Sequence, residues 1–260
     1  MHSIMTTFLR YRFLLGNLIT RDLKVKYRRS FLGILWSMLN PLLIMLVLNA
    51  VFSSLFKAAK IDNFPLYLIS GQTLYSFFIE ATNGALTSVV DSSALIKKVY
   101  IPKYIFPLEK VLFSFVNLLF SLVAIFVMML IYGVKPAFTM LLIPVPLLSM
   151  TMFAMGMGLI LATFCVFFRD IRHLYSVLTT AWLYLTPIIY PMELLGDGFI
   201  SKIVKYNPLT YYISYFRNVA LFSTLPTLED NLFCFGYGIV FTIIGIVIFK
   251  AKQDRFILHI

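Results

Sequence analysis

Residues 21–36 read RDLKVKYRRSFLGILW: five basic side chains (Arg21, Lys24, Lys26, Arg28 and Arg29) stand directly ahead of a run that carries no charge from residue 30 to residue 56. Lys and Arg are costly in hydrocarbon and favourable at an anionic cytoplasmic surface. This junction therefore predicts where the first membrane helix begins, and that it begins on the cytoplasmic side.

The rest of the 260-residue chain agrees, being 60% hydrophobic and only 13% charged, with a mean hydropathy of +0.90. A soluble domain cannot wet such a surface, so the composition implies an all-α integral membrane protein. The net charge of +11 does not point to nucleic acid, because the cations fall in short clusters between apolar runs. Cys165 and Cys234 lie at opposite ends of predicted spans. The hydrocarbon thickness of about 30 Å is far beyond the ~7 Å Cα limit of a disulfide, so both should be free thiols. No short apolar segment with a small-residue cleavage site precedes the first span, so a removed signal peptide is not expected.

Uncharged runs long enough to cross occur at 31–56, 111–133, 137–167, 173–191 and 231–250, the last closed by Lys250, and a sixth at 65–90 is interrupted only by Glu80. Six spans put both termini on one side. Sixteen Lys and Arg fall on the side of the N-terminal segment and six on the other, which places both ends in the cytoplasm. The reading is one membrane domain covering 1–260.

Three segments outside the spans carry further signals. Over about 8–20, Arg10, Asn17, Arg21, Lys24 and Arg28 recur at helical spacing opposite Phe8, Tyr11, Leu15 and Leu18, predicting a helix in the membrane interface. It serves as a basic anchor, a lever against a cytoplasmic partner, or both. The loop around 93–104 holds Lys97, Lys98 and Lys103 and is broken by Pro102. It is longer than connections usually are, which suits a docking element. In 193–222, Gly196, Gly198 and Pro208 separate two apolar pieces too short or too charged to cross. Such backbone belongs at membrane depth only where protein buries it or where it lines a wet cavity.

The chemistry of catalysis is thin. Eleven acids and three scattered histidines form no evident cluster, and no Lys follows a Gly, so the G-x-x-x-x-G-K-[ST] phosphate cradle is missing. Cytoplasmic carboxylates (Asp91, Glu109, Asp170) leave a membrane phosphoglycosyl or acyl transferase as a remote reading. Any ATP and Mg would be bound and hydrolysed by another polypeptide, and no cofactor or metal is expected on this chain.

Five stretches carry a resemblance: RDLKVKYRRSFLGILWSMLNP at 21–41, KKVYIPKYIFPL at 97–108, FFRDI at 167–171, TPIIYP at 186–191 and YNPL at 206–209. In this order and spacing the chain resembles the ABC-2 type permeases that export polysaccharide or polyol-phosphate polymers, such as the O-antigen, capsule, teichoic-acid and rhamnan exporters of bacteria. The resemblance implies a homodimer with two nucleotide-binding ATPase subunits in the cytoplasmic (inner) membrane. Its substrate would be an undecaprenyl-diphosphate-linked polymer. It also implies that 8–20 and 93–104 touch the ATPase, and that 193–222 form re-entrant gate helices on the exterior. A permease of the same family for drugs or small lipids is the second reading.

Candidate residues follow from both lines. Glu80, the one acid well inside a span, is costly there unless water or a partner relieves it, so it is expected to face a lumen or a dimer seam. Its alternative is a local bond to Thr82 or Asn83. Trp182, Tyr184, Tyr190, Tyr206, Tyr211, Tyr212 and Tyr215 offer flat apolar bodies with polar tips. Together they suit a channel wall, while any one of them also suits an interfacial belt. Arg28 and Arg29 are candidates for a lipid headgroup at the entrance. Arg10, Lys97, Lys98, Lys103, Arg169 and Asp170 are candidates for coupling to the ATPase, with a helix-end cap as the simpler account of the last two.

Overall fold

The computed structural model describes residues 2–28, 30–54 and 63–259, and at residues 2–10 and Glu193 the backbone alone. Among the described residues the regular structure is helical throughout: α1 (His2–Tyr27), α2 (Leu35–Phe52), α3 (Phe64–Asp91), α4 (Ser93–Lys98), α5 (Ile105–Ile131), α6 (Pro144–Phe167), α7 (Ile171–Tyr184), α8 (Phe199–Lys205), α9 (Pro208–Ala220) and α10 (Leu228–Lys252), with short 3₁₀ turns between some of them and after α10.

Among the described residues four segments are long and apolar enough to cross a membrane: Leu35–Phe52, Ile105–Ile131, Phe138–Phe167 and Leu228–Leu258. The two other predicted spans differ for separate reasons. α3 has 28 residues, about 42 Å at 1.5 Å per residue, but its neighbours α2, α5, α6, α7 and α9 surround it. A helix wrapped by protein need not be oily. Its polar side chains turn back on its own carbonyls, as Ser70 does to Tyr67 O, Thr82 to Phe78 O and Ser88 to Ala85 O. α7, by contrast, has 14 residues, about 21 Å. The chain leaves the helix at Leu185 because Pro187 and Pro191 supply no amide hydrogen.

α1 is continuous over 26 residues, longer than the 8–20 predicted, and its far half climbs α5. Leu15 and Leu18 pack on Ile105, Asp22 pairs with Lys110, and Tyr27 reaches Asn117. The first and last of these partners on α5, Ile105 and Asn117, are twelve positions apart, about 18 Å. The turn into α2 passes through Gly33 at φ +50°, where an L side chain would cost about 1–2 kcal/mol.

α2 buries only Met45. Pro41 within it cannot bond back to Ser37, and the freed Ser37 carbonyl instead accepts from Ser121 Oγ of α5 at 2.9 Å. α6 and α10 form the tightest pair. A Cβ at Gly156 would collide with the Phe241 backbone, and one at Gly245 with the Gly156 carbonyl, so the two helices touch through their main chains.

Candidate functional site

A cavity of about 320 Å³ opens between the end of α1 and helices α2, α3 and α5. Its polar floor is one connected set of bonds. Lys26 Nζ donates to Glu80 Oε1 at 2.7 Å, and Asn117 Nδ2 donates to the same oxygen at 3.1 Å. The Tyr27 hydroxyl donates to Asn117 Oδ1 at 3.1 Å and also bonds Ser37 Oγ. Trp36, Asn40, Gln72 and Ser76 line the walls together with the apolar Pro41, Ile44, Phe77 and Leu118. An indole face beside amides and hydroxyls is a lining suited to sugar rings, which present apolar C–H faces and a hydroxyl rim.

Glu80 therefore lines a cavity, and its partners are Lys26 and Asn117 rather than Thr82, which bonds Phe78 O and accepts from Tyr175, or Asn83, which is exposed. The sequence did contain a signal for Lys26. Tyr11, Leu15, Leu18, Asp22 and Lys26 follow at spacings of four, three, four and four, so two charges continue the apolar stripe of α1 and need partners on whatever that stripe packs against.

Asp22, one turn earlier, bonds both Lys110 and Arg21. Burial alone would raise its pKa, but the two cations outweigh that and hold the carboxyl below its ordinary value. Lys110 also reaches Glu109 at 3.3 Å within α5; Asp22–Lys110 fastens α1 to α5, and Lys26–Glu80 fastens it to α3.

At the opposite end, α9 begins with Asn207, whose side chain accepts from Leu209 N, with Pro208 at the first helical position. Asn207 also accepts from Trp182 Nε1 at 2.8 Å and donates to Leu185 O and Thr186 Oγ1. Trp182, half-buried, is thereby held against the core, edge-on to Phe78 and Phe153. Tyr212 and Tyr215 are 0% and 1% exposed, with hydroxyls donating to Cys234 O and Asn231 Oδ1. Their rings fill volume between α9 and α10 and offer no surface to a passing molecule here. Tyr211, half-buried, stacks on Phe233. Tyr184 and Tyr206 are exposed, and Tyr190 is half-buried and donates to Tyr184 O.

Sequence reasoning missed Arg217. This α9 side chain is 3% exposed. It donates to Pro187 O and Tyr67 O at 2.8 Å, Ile188 O at 3.2 Å and Ser70 Oγ at 3.3 Å, and its guanidinium lies 3.4 Å from the centre of the Tyr67 ring. The freed carbonyls of the TPIIYP bend are its acceptors. A single cation in the apolar stretch 209–222 was the available clue.

The end bearing α4 is built on an apolar cluster that includes Val89, Ile96, Phe106, Val166, Phe249 and Phe256, so α4, the ends of α3, α6 and α10 and the tail meet there. Lys97 and Lys98 are exposed, while Lys103 Nζ donates to Gln253 O at 2.6 Å. Arg169 and Asp170 are exposed, and no ion pair joins them among the described residues. Arg28 is exposed. Arg29 and the Arg10 side chain lie outside the described residues. No group of three or more His, Cys, Asp or Glu able to hold a metal occurs among the described residues.

The family model described as ABC-2 type transporter matches residues 14–221. The chain belongs to the ABC-2 type transporter family. It is 31% identical over 247 residues to the O-antigen export system permease protein RfbA of Myxococcus xanthus, covering 95% of both chains. It is 32% identical over 244 residues to the RfbA protein of Klebsiella pneumoniae, covering 94% of this chain and 93% of that one. The capsule polysaccharide export inner-membrane protein CtrC of Neisseria meningitidis serogroup A is 22% identical over 254 residues, covering 95% and 93%. With four segments able to cross, this ABC-2 chain is a multi-pass membrane protein.

Proposed function

We propose that this chain is the permease half of an exporter that moves a lipid-linked glycopolymer, carried on undecaprenyl diphosphate, from the cytoplasm across the inner membrane. The observation that carries the reading is the amide- and aromatic-lined cavity within the bundle, in a chain that matches O-antigen export permeases over nearly its whole length. Soluble and lipid-anchored sugars alike would find hydroxyl partners there.

In this reading the protein works as a homodimer with two ATPase subunits that bind ATP and Mg, and both termini face the cytoplasm. α3, wrapped by its neighbours, and α7 together with the bend after it count as the two remaining spans, giving six. The first half of α1, with Lys97, Lys98, Arg169 and Asp170, faces the ATPase. α8 and α9 form the exterior gate, and Arg28 stands near the headgroup. Lys110–Asp22 and Lys26–Glu80 carry motion of α1 into α5 and α3.

The test is loss of surface polymer on deletion of the gene, restored by the wild-type chain, together with copurification of an ATPase whose turnover lipid-linked glycan stimulates. Unchanged surface polymer in the deletion strain, or stimulation by drugs and not by glycan, overturns it.

A further inference from the structure

Lys26 stands apart from the other described cations of the α1 C-terminal half. Lys24, Lys26 and Arg28 are all exposed, but Lys26 reaches Glu80 at 2.7 Å, on the oxygen that Asn117 also binds, well along α5. The pair is not sealed. The two side chains remain 40% and 37% exposed, both face the cavity, and both bonds to the carboxylate fall on one oxygen, Glu80 Oε1. A half-wet ion pair of this kind is close to break-even, since Coulomb attraction and the loss of hydration nearly cancel. Another anion of higher charge density can therefore displace the carboxylate at small cost. Neighbouring donors for its remaining oxygens are at hand in the Tyr27 and Ser37 hydroxyls and the Asn117 amide. The volume of about 320 Å³ lies within the ~300–1,000 Å³ usual for small-molecule sites.

We propose that Lys26 is an anion-binding group masked by Glu80, and that a phosphate or diphosphate group on a ligand entering the cavity takes the place of the Glu80 carboxylate at Lys26. Glu80 is then a stand-in that keeps the cation neutralised in the empty cavity. The proposal rests on the export reading for the identity of the ligand, and differs from it in moving the anion contact from Arg28 and Arg29 to the open cavity between α1, α2, α3 and α5.

The test is calorimetric titration of the purified full-length protein in detergent with farnesyl diphosphate, inorganic pyrophosphate and farnesol. The wild type binds farnesyl diphosphate and not farnesol. Lys26→Gln weakens that binding about tenfold or more, the loss of one charge-assisted hydrogen bond, and Lys26→Arg keeps it. Glu80→Gln, which retains an acceptor for Asn117, tightens it about fivefold, because the competing carboxylate charge is gone. A purely structural pair would move both variants in the same direction. Weaker binding in Glu80→Gln, or unchanged binding in Lys26→Gln with the fold intact by thermal melting, overturns the proposal. Tighter binding of farnesyl diphosphate than of pyrophosphate assigns the anion to a lipid, and equal binding assigns it to free phosphate at the same Lys26 site. Surface polymer measured in cells carrying the wild-type chain separates the two readings: export without Lys26-dependent binding sinks this inference alone.

Discussion

Two charged side chains stand alone in apolar helices, Glu80 in α3 and Arg217 in α9, and the bundle treats them oppositely. Glu80 meets a cation of opposite charge and stays more than a third open to a cavity. Arg217 meets backbone carbonyls, a hydroxyl and an aromatic face, and is sealed. An ion pair in a wet cleft can be exchanged for another ion at little cost, whereas a guanidinium spread over several carbonyls has no competitor of the same shape. One joint is adjustable and the other is a fastening.

The comparison breaks first at Arg217. Arg217→Ala strands the carbonyls of Tyr67, Pro187 and Ile188 together, and the expected loss is about 3–5 kcal/mol, of the order found when one member of a buried charged set is removed. Thermal unfolding in detergent measures it, and a melting temperature within two or three degrees of wild type, roughly 1 kcal/mol for a chain of this size, contradicts the fastening role. Arg217→Lys keeps the charge without the fork and should fall between.

A second expected effect lies on the α6–α10 seam. Gly156→Ala places a methyl group into the Phe241 backbone, and overpacking of this kind costs about 1–3 kcal/mol. The same melting experiment checks it. Gly236→Ala, where nothing lies within 4 Å of the added atom, is the matched control and should be neutral or slightly stabilising.

The adjustable side is sharpened at Asp22. Asp22→Asn weakens the grip of α1 on α5 by about 1 kcal/mol, read as faster hydrogen exchange over 18–28. Because the folded pKa of Asp22 is held below its ordinary value, its contribution is fully present above the unfolded value of about 3.9 and is lost only as pH falls through the folded value. Exchange in α1 attributable to Asp22 should therefore be level between pH 8 and pH 5 and rise only in stronger acid. The smallest structural effect is expected at Lys97 and Lys98, exposed on α4. Alanine there should change stability by less than about 0.5 kcal/mol while lowering ATPase stimulation in the assembled transporter.

The sequence revealed the apolar runs of α2, α5, α6 and α10, because lipid-facing helices need oil on most sides. It also showed the break at Asn207–Pro208, because cap and proline chemistry is local. Glu80 stood out as a charge without company, yet its partner Lys26 lies 54 positions away, and only the packing of α1 along α5 brings them together. Tyr212 and Tyr215 were read by the chemistry of their rings. Their spacing with Leu209, Ile213, Phe216 and Val219, all buried, was a helical stripe that already pointed inward. α3 was legible as the run at 65–90, but its cover was not: protein surrounds it, which is why it can carry Glu80 and several hydroxyls.

The main-chain contact of α6 with α10 has a mechanical consequence. Two rods that touch without side chains between them have no cushion in which to slide, so they act as a splint, and a passage wide enough for a polymer must open elsewhere. The wall best able to swing is α2, which buries only Met45 and bonds its neighbours at Ser37, through the proline-freed carbonyl to Ser121 and the hydroxyl to Tyr27.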